Sequence, residues 1–207
     1  MEDFLMYKKY FKRLIDLVVS FIGLIILSPI MLIVALLVKV NLGSPVIFKQ
    51  ERPGLNGEIF TLYKFRSMTN AVDENGELLP NKVRLTKFGK LLRSTSLDEL
   101  PELYNILKGD MSLIGPRPLL PEYLERYNEE QKRRHDVRPG LTSLSAANGR
   151  ASLSWDETLA MDVYYVDNVN FLMDCKIILK TIIAVVKRKN ISSDRGKFMG
   201  SGSRKQV

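Results

Sequence analysis

Cysteine and histidine are the scarcest chemically useful residues of this 207-residue chain, which contains only Cys175 and His135. A single cysteine excludes an internal disulfide framework, so the sequence gives no indication of an oxidising compartment. The same scarcity excludes a zinc site built from the usual nitrogen and sulfur ligands. Any metal that this chain binds should therefore be a hard cation held by oxygen ligands, such as Mg²⁺.

Charge is missing from one long stretch, the 22 residues from Leu17 to Val38. A helix of that length rises about 33 Å, which is enough for a bilayer core of about 30 Å. A secretory signal peptide has a shorter apolar region and a small-residue cleavage site, and a soluble core helix rarely needs apolar residues on all sides. We therefore expect residues 1–40 to form a membrane-associated segment.

Ser28 and Pro29 lie at the middle of this apolar run. Proline lacks an amide donor and clashes with the carbonyl four residues earlier, so it kinks or breaks a helix. A kinked helix that still spans the bilayer is one alternative, because proline is common in transmembrane helices. However, basic residues flank both ends of the run, and positive charge is retained on the cytoplasmic side. These flanks favour a re-entrant helix hairpin with a Ser-Pro break.

The whole sequence is 45% hydrophobic and 26% charged, which is the composition of an ordinary globular protein. After the apolar run, the chain reads as a soluble domain. Residues 45–50 and 58–68 are rich in strand-forming residues and enclose a turn, which predicts a β-hairpin. Helices are expected at 83–93, 123–137 and 171–186, the last of them packed or membrane-apposed. We therefore predict an α+β fold with a cytosolic domain at 41–188 and a mobile basic tail at 189–207.

The formal net charge is +8, from 31 basic and 23 acidic residues. Such a charge is compatible with a non-catalytic, membrane-anchored protein that binds an anionic lipid or polymer. The sequence contains no nucleic-acid-binding motif, so nucleic acid is not an expected partner. His135 is expected on the solvated face of a charged helix.

Several charged residues stand in positions suited to phosphate chemistry. Lys64 and Arg66 share one face of the second strand, about 7 Å apart, which is a spacing that can hold a diphosphate. Arg117 lies between two prolines, which fix the backbone around a guanidinium suited to bidentate phosphate recognition.

Asp98 and Glu99 lie at a predicted helix start, where the macrodipole favours their anionic forms. Ser96 has capping-box spacing to Glu99. Each feature alone also fits an ordinary solvated surface.

Taken together, these motifs resemble the small monotopic phosphoglycosyl transferases of the bacterial sugar transferase family. The resemblance runs from about Tyr7 to Arg188. The matching landmarks are Ser28-Pro29, Gln50-Glu51-Arg52-Pro53-Gly54, Tyr63-Lys64-Phe65-Arg66-Ser67-Met68, Ser96-Leu97-Asp98-Glu99-Leu100-Pro101, Gly109-Asp110-Met111-Ser112, Gly115-Pro116-Arg117-Pro118, Asn148-Gly149-Arg150 and Asp162-Val163-Tyr164-Tyr165.

The resemblance implies an activity: transfer of a sugar phosphate from a UDP-sugar to undecaprenyl phosphate, with release of UMP, at the start of capsule, exopolysaccharide or glycoprotein glycan assembly. It implies a monotopic protein on the cytosolic face of the bacterial inner membrane, with membrane lipids as partners and an oligomer possible. Asp98 is the implied nucleophile and magnesium ligand, and Glu99 is its partner. The implied substrate-binding residues are Lys64, Arg66, Arg93, Arg117, Arg150 and Asp162.

The segment from Thr142 to Ala147 departs from the family pattern, because the glycine, the tryptophan and the amide expected before Asn-Gly-Arg are missing. Altered donor choice is one expected consequence. The sequence leaves open whether the sugar is an acetamido sugar or a hexose. A hydrolytic enzyme of the same fold is a further alternative, which a requirement for polyprenyl phosphate would distinguish.

Overall fold

The computed structural model describes residues 6–149, 152–186 and 198–200. One long apolar helix lies against a domain of short helices and two small sheets, so the predicted α+β class is confirmed. The α-helices are α1 (Lys12–Leu42), α2 (Asn81–Arg84), α3 (Lys87–Thr95), α4 (Glu102–Lys108), α5 (Glu129–Lys132), α6 (Leu144–Asn148), α7 (Trp155–Asp167) and α8 (Phe171–Val186). The strands are β1 (Ile47–Pro53), β2 (Ile59–Phe65), β3 (Ser112–Ile114) and β4 (Gly140–Thr142).

Helix α1 is long and apolar enough to cross a membrane, and only 11% of its most apolar window is buried. It continues through Ser28 and Pro29 as one 31-residue helix, so the helix does not end at the predicted break. Pro29 cannot donate to the carbonyl of Ile25, and the Ser28 hydroxyl donates to that oxygen instead, at 2.8 Å. This bond replaces the hydrogen bond that proline removes.

Both halves of α1 pack on the same domain. The buried residues of the helix recur every four positions within each half, and the two groups are 14 positions apart, so they lie on one side of the helix. In the first half, Arg13 donates to the carbonyls of Ile106 and Leu107, and Gly23 lies against Leu103 of α4. In the second half, the buried side chains join a core with β2 and α3. The buried residues of the stripe are Lys12, Asp16, Ser20, Val34, Val38 and Leu42.

The predicted β-hairpin is confirmed. Strands β1 and β2 pair antiparallel, with Ile47 opposite Phe65 and Pro53 opposite Ile59. Apolar residues on one face of β2 pack on α4 and on the second sheet, in which β3 and β4 are parallel. The hairpin therefore carries Lys64 on a rigid strand directly beside α4.

Two predicted helices have different boundaries. The helix expected at 83–93 is divided into α2 and α3, because the Thr86 hydroxyl accepts from Gly89 N at 3.0 Å and begins a new helix. The helix expected at 123–137 consists of 3₁₀ turns around the short α5, which begins at a capping box formed by Asn128 and Gln131. Local capping thus divides patterns that look continuous in the sequence.

His135 is buried, so the prediction of a surface residue was wrong. Its Nδ1 lies 3.1 Å from the carbonyl oxygen of Gly54 in the hairpin turn, and its ring packs beside Tyr127. Burial, reinforced by the charge of Arg134, lowers the pKa of His135 to about 4. The imidazole is therefore neutral at physiological pH.

Helix α8 coincides with the predicted range 171–186, and no helix was predicted for the residues of α7. Most of the predicted basic tail is outside the described residues, but Phe198 within it is fully buried among Tyr123, Tyr127 and Trp155. The carbonyl oxygen of Phe198 accepts a hydrogen bond from Arg126. One aromatic side chain of the predicted tail thus fills an aromatic pocket of the domain.

Candidate active site

A cavity of about 1600 Å³ lies between the hairpin, the turn before α4, the loop after β3 and helix α8. Its lining includes five residues that the sequence singled out, from four separate segments of the chain. They are Lys64, Arg93, Asp98, Glu99 and Arg117. The tertiary structure therefore brings the predicted acids and cations to a single site.

The acid pair projects from a tight turn between α3 and α4. Ser96 has a left-handed backbone (φ 57°) and ends α3, and a 3₁₀ turn from Leu97 to Glu99 follows. The predicted capping box was wrong, because Ser96 is the C-cap of the preceding helix and its side chain makes no capping hydrogen bond among the described residues. Asp98 and Glu99 thus precede α4 rather than forming its first turn.

Helix α4 is fixed against the hairpin by Asn105, which is fully buried. Its Oδ1 accepts from Tyr63 N at 3.0 Å, and its Nδ2 donates to Thr61 O at 2.7 Å. These bonds align β2 with α4, so Lys64 on the strand meets the acidic residues at the start of the helix. Asn105 is a positioning residue that no sequence motif indicated.

Glu99 is held by two cations. Its Oε1 accepts from Arg117 Nη2 at 2.6 Å and from Lys64 Nζ at 2.9 Å. Burial raises the pKa of Glu99, but the charges and hydrogen bonds of Arg117 and Lys64 outweigh it and leave that pKa well below its ordinary value. Glu99 therefore stays anionic and orients the two cations.

Asp98 differs from Glu99 in having no hydrogen bond or ion pair with any described residue, although its side chain lines the cavity. Burial raises the pKa of Asp98, and the negative charge of Glu99 raises it further, while Lys64, Arg93 and Arg117 oppose the shift. A carboxylate that is desolvated and unpaired beside three cations has the properties of a functional-site acid and can act as an oxygen nucleophile towards an anionic substrate.

Arg117 is mounted on a rigid loop. Gly115 and Gly140 pass so closely that a Cβ on Gly140 would lie 2.1 Å from Gly115 N, which requires glycine there. Arg134 donates from Nη2 to the carbonyl oxygen of Arg117 at 2.7 Å, and the same nitrogen lies 2.7 Å from Asp162 Oδ2. Asp162, predicted to assist the metal or substrate, is 1% exposed and is linked to the site by its ion pair with Arg134.

The other predicted substrate-binding residues are placed as follows. Arg93 lines the cavity and donates from Nε to Ser67 Oγ at 2.9 Å, and burial lowers its pKa. Arg66 borders the cavity, but its guanidinium donates to the carbonyls of Leu42 and Ser44, where it holds the end of α1. Arg150 lies outside the described residues.

Glu102 is buried and Arg52 is partly buried, and neither was identified as a site residue from the sequence. Lys64 Nζ lies 2.9 Å from Glu102 Oε1, close enough for an ion pair but outside hydrogen-bond geometry. Burial raises the pKa of Glu102 to about 7, and burial lowers the pKa of Arg52 to about 10. Both residues line a small inner cavity with Lys64 and Arg117. The acidic run Asp98-Glu99-Glu102 is the signal that could have indicated a third acid.

The described residues contain no group of three or more histidine, cysteine, aspartate or glutamate side chains able to hold a metal. Asp98 has a free carboxylate, whereas Glu99 Oε1 is already shared by two cations. Mg²⁺ commonly uses one or two carboxylates together with substrate phosphates and water. The site therefore fits Mg²⁺ shared with a phosphate substrate, but not a cage made by protein alone.

The family model described as bacterial sugar transferase matches residues 7–188. The chain therefore belongs to the bacterial sugar transferase family, as the sequence motifs predict. It is 50% identical over 195 residues to the uncharacterized sugar transferase EpsL of Bacillus subtilis (strain 168), covering 92% of this chain and 96% of that protein.

Two further relatives have names that state a reaction. Over 184 residues the chain is 41% identical to the UDP-glucose:undecaprenyl-phosphate glucose-1-phosphate transferase of Klebsiella pneumoniae. Over 197 residues it is 38% identical to the undecaprenyl-phosphate galactose phosphotransferase of Salmonella typhimurium. These matches cover 83% and 87% of this chain but only 39% and 41% of the two relatives. The chain thus spans about two fifths of their length.

Proposed function

We propose that this protein transfers a sugar phosphate from a UDP-sugar to undecaprenyl phosphate and releases UMP, as an early step of glycan assembly. The unpaired Asp98 carboxylate beside Lys64, Arg93 and Arg117 is the observation that carries the proposal. The names of the Klebsiella and Salmonella relatives support the acceptor, and the former also supports a UDP-sugar donor. A purely lipid-binding role would leave this buried acid unexplained.

In the first half-reaction, an Asp98 carboxylate oxygen attacks the β-phosphorus of the donor. The bond from that phosphorus to the bridging oxygen breaks, and UMP leaves with the electron pair. Lys64, Arg93 and Arg117 neutralise the charge that develops on the diphosphate, while Glu99 keeps Lys64 and Arg117 in place. The product is an acyl phosphate that joins Asp98 to the sugar phosphate.

In the second half-reaction, a phosphate oxygen of undecaprenyl phosphate attacks the same phosphorus. The acyl phosphate bond breaks and returns the Asp98 carboxylate, so the cycle restores the free enzyme. Because UMP leaves before the acceptor reacts, ping-pong kinetics are expected. Mg²⁺ belongs to this proposal: Asp98 would hold it together with the donor phosphates, and it would supply neutralising positive charge.

The decisive experiment gives the wild-type protein UDP-sugar and Mg²⁺ without a lipid acceptor. It should release at most about one equivalent of UMP and gain the mass of one sugar phosphate. Peptide mapping should place the added mass on the peptide that contains Asp98. No adduct under single-turnover conditions would replace this mechanism with direct attack by the lipid phosphate, and sustained UMP release without acceptor would indicate a hydrolase.

We also propose that α1 is re-entrant, with both ends on the cytosolic face. A straight helix of this length would extend about 46 Å, so a spanning orientation would carry one end away from a cytosolic domain. Instead, residues near both ends of α1 pack on that domain, while Ser28, Pro29 and Ile30 at its middle are exposed. Contact at both ends supports an orientation in which only the middle enters the bilayer deeply.

Cysteine labelling in intact cells tests this topology. Single cysteines at Asp3 and Ser201, in a chain with Cys175 replaced, should both resist a membrane-impermeant thiol reagent. Labelling at position 3 alone would show that α1 spans. Replacing Ser28 and Pro29 together with alanine should shift α1 towards spanning, because it removes the residue that bends the helix, and a straight apolar helix of this length fits the bilayer.

A further inference from the structure

The lining of the cavity includes two chemically different sets of residues. Lys64, Arg93 and Arg117 lie near Asp98, and a second set is formed by apolar side chains of α8 with Val19 of α1. At about 1600 Å³ the cavity is larger than the roughly 300–1000 Å³ typical of a pocket for one small ligand. A ligand with an anionic head and an apolar body matches both sets, whereas a nucleotide sugar is polar throughout.

Four residues of α8 form the apolar wall. Ile178, Thr181, Ile182 and Val185 follow the spacing of a single helix face and all border the cavity. The hydroxyl of Thr181 is bonded to that of Thr142 at 2.8 Å, so the threonine can present its methyl group to the cavity. The wall is therefore apolar without an unsatisfied polar group.

This wall is open on its outer side. Ile182 is 54% exposed and Val19 is 44% exposed, although both border the cavity. Other residues of α8, such as Leu179 and Ile183, are exposed without bordering it. An apolar chain that lies on the exposed apolar surfaces of α1 and α8 could thus also contact the wall of the cavity.

We infer that the face of α8 formed by Ile178, Thr181, Ile182 and Val185, together with Val19, binds the first isoprene units of the polyprenyl chain of the acceptor. The acceptor phosphate then lies beside Asp98 in the same cavity. This inference rests on the proposed function and adds the location of the acceptor chain. The occupant is the acceptor rather than a phospholipid, because the same cavity contains Asp98. Only a reacting lipid must place its phosphate beside that residue.

The first test is a matched pair of substitutions, Ile182→Trp and Ile183→Trp. The two residues are adjacent and almost equally exposed, but only Ile182 borders the cavity. Ile182→Trp should raise the KM for undecaprenyl phosphate about tenfold, corresponding to about 1.4 kcal/mol. It should leave the acceptor-independent release of UMP unchanged, and Ile183→Trp should change neither quantity. Equal acceptor KM values for both variants would overturn the inference.

The second test uses the wild-type protein, so it does not depend on how the variants fold. An undecaprenyl phosphate with a photoreactive group on its second isoprene unit should label the tryptic peptides 177–180 and 181–187. Unlabelled undecaprenyl phosphate should compete, and excess phospholipid should not. Labelling elsewhere, or equal competition by phospholipid, would overturn the inference. Absence of any transfer by the wild-type protein would instead count against the proposed function.

Discussion

Two polar clusters in this protein each contain a lysine, and they differ in whether a carboxylate is left without a hydrogen-bond partner. The cavity cluster contains Lys64, Glu99, Glu102 and Arg117, with Asp98 beside it. The sealed cluster contains Tyr7, Lys12, Tyr165 and Asp174. One of them faces a large cavity, whereas the other is closed off between α1, α7 and α8.

The carboxylate of Asp174 is fully occupied. Its Oδ2 accepts from Tyr7 at 2.7 Å and from Lys12 at 2.8 Å, and its Oδ1 accepts from Tyr165 at 2.7 Å. Asp98, in contrast, has no such bond with a described residue. A buried acid with every oxygen satisfied joins segments of the chain, whereas one that burial leaves unpaired is available for chemistry. The same substitution should therefore have opposite consequences in the two clusters.

The largest expected effect is that of Asp98→Asn on activity. An amide keeps the shape of the side chain but cannot act as this nucleophile, so transfer should fall by at least about 10⁴-fold. The variant should unfold at a temperature no lower than the wild type, because it removes a desolvated charge without a bonded partner. Radiolabelled sugar transfer and thermal unfolding in detergent measure the two quantities. Substantial residual transfer would show that another group attacks.

Asp174→Asn should instead act on stability. The amide leaves the Lys12 ammonium buried without its anion, which should cost about 3–5 kcal/mol of unfolding free energy. Chemical unfolding in detergent or bicelles measures this loss, and the UMP burst per folded molecule should be retained. The double variant Lys12→Met with Asp174→Asn is the control, because removing the unpaired charge should recover part of the loss. An unchanged unfolding midpoint in the single variant would contradict a structural role.

Asp162→Asn should fall between these two cases, because Asp162 acts on Arg117 through Arg134. Transfer should drop about 10–100-fold, the range for residues that orient a functional side chain, mainly through a higher KM for the donor. Asp167→Asn on the same helix is the matched control, since the Asp167–Arg133 pair is exposed and should contribute little. Equal kinetics for the two variants would show that Arg134 does not position Arg117.

The smallest expected effect concerns His135, a buried group outside both clusters. Its folded pKa of about 4 lies below the ordinary value of 6.5, so the unfolded chain binds more protons between these values. Stability should be fully present above about pH 6.5 and decrease as the pH falls towards 4. His135→Gln should reduce this decrease, measured as the difference in unfolding midpoint between pH 7 and pH 5. Identical pH dependence in both proteins would show that the imidazole titrates normally.

The residues that line the cavity were easier to name from the sequence than the residues that position them. Lys64, Asp98, Glu99 and Arg117 belong to short motifs whose residue types suit phosphate chemistry, and the family resemblance adds Arg93. Other residues act through contacts between distant segments, for which the sequence carries no local pattern. Asp162 is separated from Arg134 by 28 positions, and Asn105 from Thr61 by 44. Such pairings depend on which elements pack together.

By itself the sequence determined the long apolar helix, the β-hairpin and the acids and cations of the site, because each follows from local composition, periodicity or motif. Only the tertiary structure decided which carboxylate is paired and which is free. Glu99 and Asp98 are neighbours in the chain, yet one is held by Lys64 and Arg117 and the other faces the cavity. The 3₁₀ turn and the packing of α4 on β2 set the direction in which each of these two side chains points. That direction fixes the electrostatic surroundings of each acid.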